Sequence, residues 1–128
     1  QNELNLASNK KINFSFTPHL TPMFRGILTT IYIDMNKNIT QDKIYKTLKN
    51  FYKNDYFIKI MGKNSYLSTN DVINTNYCKI SVCKSKFKNK LIILSSIDNL
   101  IKGGSGQAIQ NMNKKFNFPE KMGLIWEY

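Results

Sequence analysis

Over residues 11–16 apolar and polar side chains alternate, with Ile12, Phe14 and Phe16 set against Asn13, Ser15 and Thr17. A period of two belongs to a half-buried strand, so a strand is expected here. Residues 27–35 repeat the pattern, Ile27, Thr29, Ile31 and Ile33 opposing Leu28, Thr30, Tyr32 and Asp34, until Asn36-Lys37-Asn38 ends it. The β-branched residues suit a pleated surface. The period then changes. Ile44, Leu48, Phe51 and Tyr52 fall at helical spacing, Thr40 stands where an N-cap belongs and Asp42 complements the dipole of the first turn, which predicts a helix over 41–52. Residues 57–61 read as a short strand. Residues 77–83 and 90–96 read as two more, joined by the basic turn 84–89, with Leu91, Ile92, Ile93 and Leu94 as a fully buried run. A last helix is expected over 106–116, capped by Ser105, with Ala108, Ile109, Met112 and Phe116 as its packing face. Between these elements, 62–76 is polar throughout and reads as a long surface loop, and 1–10 as a loop or a loose helix end. Leu124-Ile125-Trp126 is an apolar segment that has to be buried. The fold class is therefore α+β, a mixed and mainly antiparallel sheet with packing helices, not a nucleotide-binding α/β unit.

A length of 128 residues suffices for one domain and not comfortably for two. No apolar run approaches the roughly 20 residues of a membrane span, so no membrane partner is expected. The polar opening at Gln1 carries no initiator Met and no leader pattern, and the chain reads as the tail of a longer protein. The formal charge of +11 raises the question of nucleic acid. The lysines, however, are scattered singly among asparagines, and there is no RNA-recognition signature, zinc-finger spacing or arginine-rich stripe, so a solvated Lys/Asn surface is expected and no nucleic-acid partner. The competing class, a noncatalytic Lys-rich module binding RNA or a membrane surface, requires affinity that falls steeply with salt. Cys78 and Cys83 lie an odd number of positions apart in one strand, which points them to opposite faces and excludes a joint metal site or a CxxC pair. They read as reduced, partly buried thiols of a cytoplasmic protein, and no metal site is expected.

Candidate chemistry gathers in Phe16-Thr17-Pro18-His19-Leu20-Thr21-Pro22-Met23-Phe24-Arg25-Gly26-Ile27, which holds the only histidine and the only arginine of the chain. Arginine offers a planar fork for a carboxylate or phosphate that lysine cannot imitate, and histidine exchanges a proton near neutral pH. Pro18 and Pro22 stiffen the link between them. His19 and Arg25 are accordingly expected to share one cavity as half of an active site. Further on, Lys102-Gly103-Gly104-Ser105-Gly106 precedes a helix, where free amides accept an anion or a carboxamide, although the spacing is not that of a GxGxxG fingerprint.

The first of these strings resembles the matching segment of the N-acetyl-gamma-glutamyl-phosphate reductases, in the group that includes aspartate-semialdehyde dehydrogenase. Ser96-Ile97-Asp98-Asn99-Leu100-Ile101-Lys102-Gly103-Gly104-Ser105-Gly106-Gln107-Ala108-Ile109-Gln110-Asn111-Met112-Asn113 is similar to that family's C-terminal signature. The resemblance covers nearly the whole chain but only the C-terminal part of the family's length. It implies a glyceraldehyde-3-phosphate-dehydrogenase-like C-terminal domain over 1–128 that serves substrate binding and oligomerisation, with a C-terminal helix at 104–118 packing toward a dinucleotide-binding domain that is missing here. It also implies NADP as cofactor, a small acyl phosphate as substrate and a homo-oligomer as the working form. In the family a cysteine thiolate attacks the acyl phosphate and hydride reduces the resulting thioester. Carried over position by position, His19 is the proton-handling catalytic residue, Arg25 binds substrate, and Asn99, Lys102 and Gly103 lie beside the nicotinamide. The family's nucleophile sits in an Asn-Pro-Gly-Cys-like context that neither Cys78 nor Cys83 has, so this segment alone is expected to be inactive. A related acyl-phosphate reductase of lysine synthesis is the alternative within the same chemistry.

Overall fold

The computed structural model describes residues 1–125. Its elements in chain order are α1 (Asn2–Ser8), β1 (Ile27–Asp34), α2 (Gln41–Phe51), β2 (Ile58–Ile60), β3 (Cys78–Lys84), β4 (Lys90–Ile97) and α3 (Gly106–Lys115). The strands form one sheet in the order β1-β4-β3-β2, in which β1–β4 and β3–β4 are antiparallel and β2–β3 is parallel. The architecture is thus the mixed, mainly antiparallel α+β layer that the periodicities predict.

Helix α2 starts where its cap requires. Thr40 is extended and its hydroxyl accepts from the Lys43 N–H at 3.2 Å. Gln41 then donates to the carbonyl of Val82 at 2.8 Å and to Asn64 Oδ1 at 3.0 Å, which ties the first turn of α2 to β3 and to the loop beyond β2. Ile44, Leu48 and Tyr52 are half-buried, but Phe51 is exposed. The loop 62–76 is ordered by a capping box, with Ser68 accepting from Asn70 N–H and Asp71 accepting from Ser68 N–H, and it lies over the sheet through Ser96 Oγ, which donates to the Ser68 carbonyl at 3.0 Å.

Expectations fail at residues 11–16, at the Leu91–Leu94 run, at the packing face of α3 and at its Ser105 cap, each for a physical reason. Residues 11–16 form no strand: a ladder needs a partner, and among the described residues none pairs with this segment. Residues 1–10, read as a loop or a loose helix end, form a short helix over Asn2–Ser8 with no buried residue. The run Leu91–Leu94 is fully buried only at Leu91, because β1 beside it leaves both sheet faces open. In α3 the predicted packing face points outward. Ala108, Ile109, Met112 and Phe116 are exposed, while Gly106, Gln110 and Asn113 are buried. The buried side is held by hydrogen bonds, Asn76 Nδ2 to Gln110 Oε1 (2.9 Å), Gln110 Nε2 to Glu120 Oε1 (2.7 Å) and Asn113 Nδ2 to the Met122 carbonyl (2.9 Å). Ser105 is no cap, since its hydroxyl donates back to the Leu100 carbonyl across a widened turn at 101–105. Of the final apolar segment, Leu124 is buried and Ile125 half-buried, and Trp126 lies outside the described residues.

Burial is uneven. Among the described residues six apolar side chains are buried, Phe57, Val72, Val82, Cys83, Leu91 and Leu124, against twenty large ones exposed. The exposed set is densest along 14–32, where Phe14, Phe16, Leu20, Met23 and Phe24 run into Ile27, Leu28, Ile31 and Tyr32 of the edge strand β1. A surface of that kind marks an interface.

Candidate functional site

Asp98 follows β4 directly and has no exposed surface. A carboxylate so placed has to replace every hydrogen bond that water would have given it. Its Oδ1 accepts from the N–H of Leu100 (2.8 Å), the N–H of Ile101 (2.9 Å) and Arg25 Nε (3.1 Å). Its Oδ2 accepts from the N–H of Asn74 (2.8 Å) and lies 2.9 Å from Arg25 Nε. Burial alone would raise its pKa, but the amides of Ile101, Asn74 and Leu100 and the Arg25 guanidinium outweigh it and hold the carboxyl below its ordinary value.

Arg25 is held twice. Besides the ion pair with Asp98, its Nη1 donates to Asn74 Oδ1 at 3.1 Å. A guanidinium has five N–H bonds, so three remain without a partner among the described residues, one on Nη1 and two on Nη2. The next residue, Gly26, donates its N–H to Asn99 Oδ1 at 2.7 Å, and Ile27 pairs with Ile97. Gly26 has φ 107°, and a Cβ there would lie 2.5 Å from that of Thr69, so both backbone and space require glycine. Arg25-Gly26-Ile27 is thus zipped to Ile97-Asp98-Asn99, across 70 to 73 positions of sequence.

The other predicted residues fall differently. His19 is exposed, with its ring Nδ1 3.2 Å from the Thr17 carbonyl, and neither a hydrogen bond nor an ion pair joins it to Arg25. A carbonyl only accepts, so Nδ1 is the donor in this contact, and Nε2 has no partner among the described residues. Lys102 is half-buried and turned inward, its Nζ donating to Gln110 Oε1 at 2.7 Å and standing 5.7 Å from the centre of the Phe57 ring. Burial pushes its pKa down, against the pull of Cys78, Glu120 and Asp55. Gly103 is exposed and closes the turn through its N–H to the Asp98 carbonyl at 2.9 Å. Two grooves, of about 590 and 400 Å³, border α2, and none of these residues lines them. Cys78 lies 3.5 Å from Ser95 Oγ, Cys83 is buried beside the Ser65 carbonyl at 3.7 Å, and both thiols are free. No group of side chains suited to a metal occurs among the described residues.

Residues 1–99 match the sequence model of the family described as semialdehyde dehydrogenase, dimerisation domain. The chain belongs to this family. Its fold is accordingly of the glyceraldehyde-3-phosphate-dehydrogenase-like C-terminal kind. The family match takes in the whole zipped contact and ends on Asn99, just before the glycine turn and α3. Among curated relatives, N-acetyl-gamma-glutamyl-phosphate reductase of Thermoanaerobacter pseudethanolicus is 43% identical over 97% of this chain and 36% of its own length. The reductase of the same name from Vesicomyosocius okutanii is 49% identical over 97% of this chain and 35% of its own. A probable N-acetyl-gamma-glutamyl-phosphate reductase of Arabidopsis thaliana, described as chloroplastic, is 40% identical over 93% and 30%. The chain thus spans about a third of the length of the curated relatives it matches.

Sequence reasoning reached Arg25 and Asn99 but missed Asn74, and it quoted Asp98 without a role. The available signal was weak: an Asx residue closing a strand ahead of a turn, and an asparagine free to adopt φ 61°.

Proposed function

We propose that this chain is the substrate-binding and oligomerisation part of an NADP-dependent reductase that converts N-acetyl-L-glutamyl 5-phosphate to N-acetyl-L-glutamate 5-semialdehyde in the cytoplasm, on the route to arginine. The observation that supports this most is the zipped contact. The two strings that resemble this reductase family are distant in sequence, yet they meet at Arg25–Asp98 and Gly26–Asn99.

In this reading Arg25 uses its free Nη N–H bonds to hold the anionic oxygens of the acyl phosphate substrate. His19 supplies the proton chemistry through Nε2, keeping the attacking thiol ionised and then protonating the reacting oxygen. Neither Cys78 nor Cys83 is that thiol, since both lie within β3, one bonded to Ser95 and the other enclosed. Attack on the acyl carbon forms a thioester and releases phosphate. The nicotinamide cofactor, when bound, supplies the hydride. The residues beside the glycine turn fit its carboxamide in part: Gly103 and Gly104 are exposed and Asn99 Nδ2 has no partner among the described residues, whereas Lys102 faces inward and would act only by supporting the turn through Gln110. The outward face of α3, Ile109, Met112 and Phe116, is the surface on which the dinucleotide-binding domain would pack.

The test uses the complete polypeptide that carries this segment. His19→Ala lowers kcat by ~10²- to 10⁴-fold with little change in KM, and Arg25→Lys raises KM for the acyl phosphate while kcat holds. The present 128 residues alone give no turnover. Wild-type kcat in His19→Ala overturns the role of the histidine, and turnover by the isolated segment overturns the division of labour.

A further inference from the structure

Asn74 touches both members of the Arg25–Asp98 pair at once. Its backbone N–H donates to Asp98 Oδ2 at 2.8 Å, and its side-chain Oδ1 accepts from Arg25 Nη1 at 3.1 Å. It can do so because its backbone is left-handed, with φ 61°, a conformation that asparagine tolerates better than other residues with a Cβ. Asp98 grips the planar guanidinium only at Nε, which leaves its outer edge free to swing about that contact and its two NH2 groups free to exchange places. The contact at Nη1 stops both. The plane is then fixed at two points, and the three remaining N–H bonds, one on Nη1 and two on Nη2, are held in set directions on a side chain that is 19% exposed.

We propose that Asn74 is a positioning residue that locks the Arg25 guanidinium against rotation, so that its free N–H bonds are preset for a single oxoanion. The proposal rests on the reading of Arg25 as the anion contact, and it adds that the anion meets the outer edge of the guanidinium, because Nε is already committed to Asp98. Preset donors bind more tightly than donors that must first be ordered.

Arg25 is the sole arginine of these 128 residues, and in the complete polypeptide its guanidinium signals in a nitrogen-resolved NMR spectrum are those lost in Arg25→Lys. In the wild-type chain the two Nη groups should appear as separate, slowly exchanging resonances. Asn74→Gly keeps the positive φ without strain and removes only the acceptor, so it should merge them while leaving Tm close to wild type. Asn74→Asp restores the acceptor and should restore the separate signals. With inorganic phosphate as the probe, the apparent Kd read from the Arg25 shifts should rise roughly five- to tenfold in Asn74→Gly. Separate Nη signals that persist in Asn74→Gly overturn the lock, as does an unchanged phosphate Kd. A wild-type chain whose Arg25 signal ignores phosphate while its Nη groups remain locked by Asn74 refutes the anion-contact reading, and with it the presetting; the lock alone would stand as structural.

Discussion

Asp98 carries more of the site than any other side chain, and it does so without touching solvent. Removing its charge strands Arg25, so Asp98→Asn should cost about 3 kcal/mol or more at neutral pH, within the range for breaking a buried pair. The pH dependence follows from the sign of its shift. Its folded pKa is lowered, so its stabilising contribution is complete above the unfolded value of about 3.9 and is lost as pH falls through that value to the lower folded one. Chemical denaturation from pH 7 down to 2 should therefore show a loss in the wild type that is reduced in Asp98→Asn; parallel curves would show that the carboxylate is not the linked group. At this scale a solitary arginine and a solitary histidine were legible by contrast with the lysine background. Asp98 and Asn74 were not, because their roles come from partners 73 and 49 positions away that no local pattern reports.

Elements were legible where a period and a cap agreed. Thr40 and Asp42 announce α2, and the structure starts the helix there. Thr40→Ala should lower stability by about 1 kcal/mol, and Thr40→Ser should recover most of it, both read from denaturant midpoints; no loss in the alanine variant would mean that the Gln41 contacts to Val82 and Asn64 alone fix the first turn. Periodicity misled where burial depends on what lies opposite. Residues 11–16 alternate like a strand but have no described ladder partner. In α3 the apolar stripe is real, yet this chain covers the polar one, because Asn76, Glu120 and the Met122 carbonyl supply what Gln110 and Asn113 need. Both misreadings concern apolar side chains that this chain leaves exposed.

At the scale of the whole molecule, the twenty large apolar side chains exposed among the described residues and an edge strand open on both faces describe a body with part of its core on the outside. The family description as a dimerisation domain accords with that surface. The chain is expected to self-associate through β1 and the 14–24 segment. Sedimentation should show a concentration-dependent shift that Tyr32→Lys or Ile31→Asp weakens by at least tenfold in Kd, an effect of roughly 1.4 kcal/mol; a monomer at high concentration, or unchanged association in both variants, would place the interface elsewhere. The greasy flank also gives the scattered lysines a second meaning. With a net charge of +11, like repels like between copies before they meet, so the charge holds an otherwise adhesive chain in solution. Lysine acylation or a passing polyanion would strip that protection first, and precipitation would precede any loss of fold.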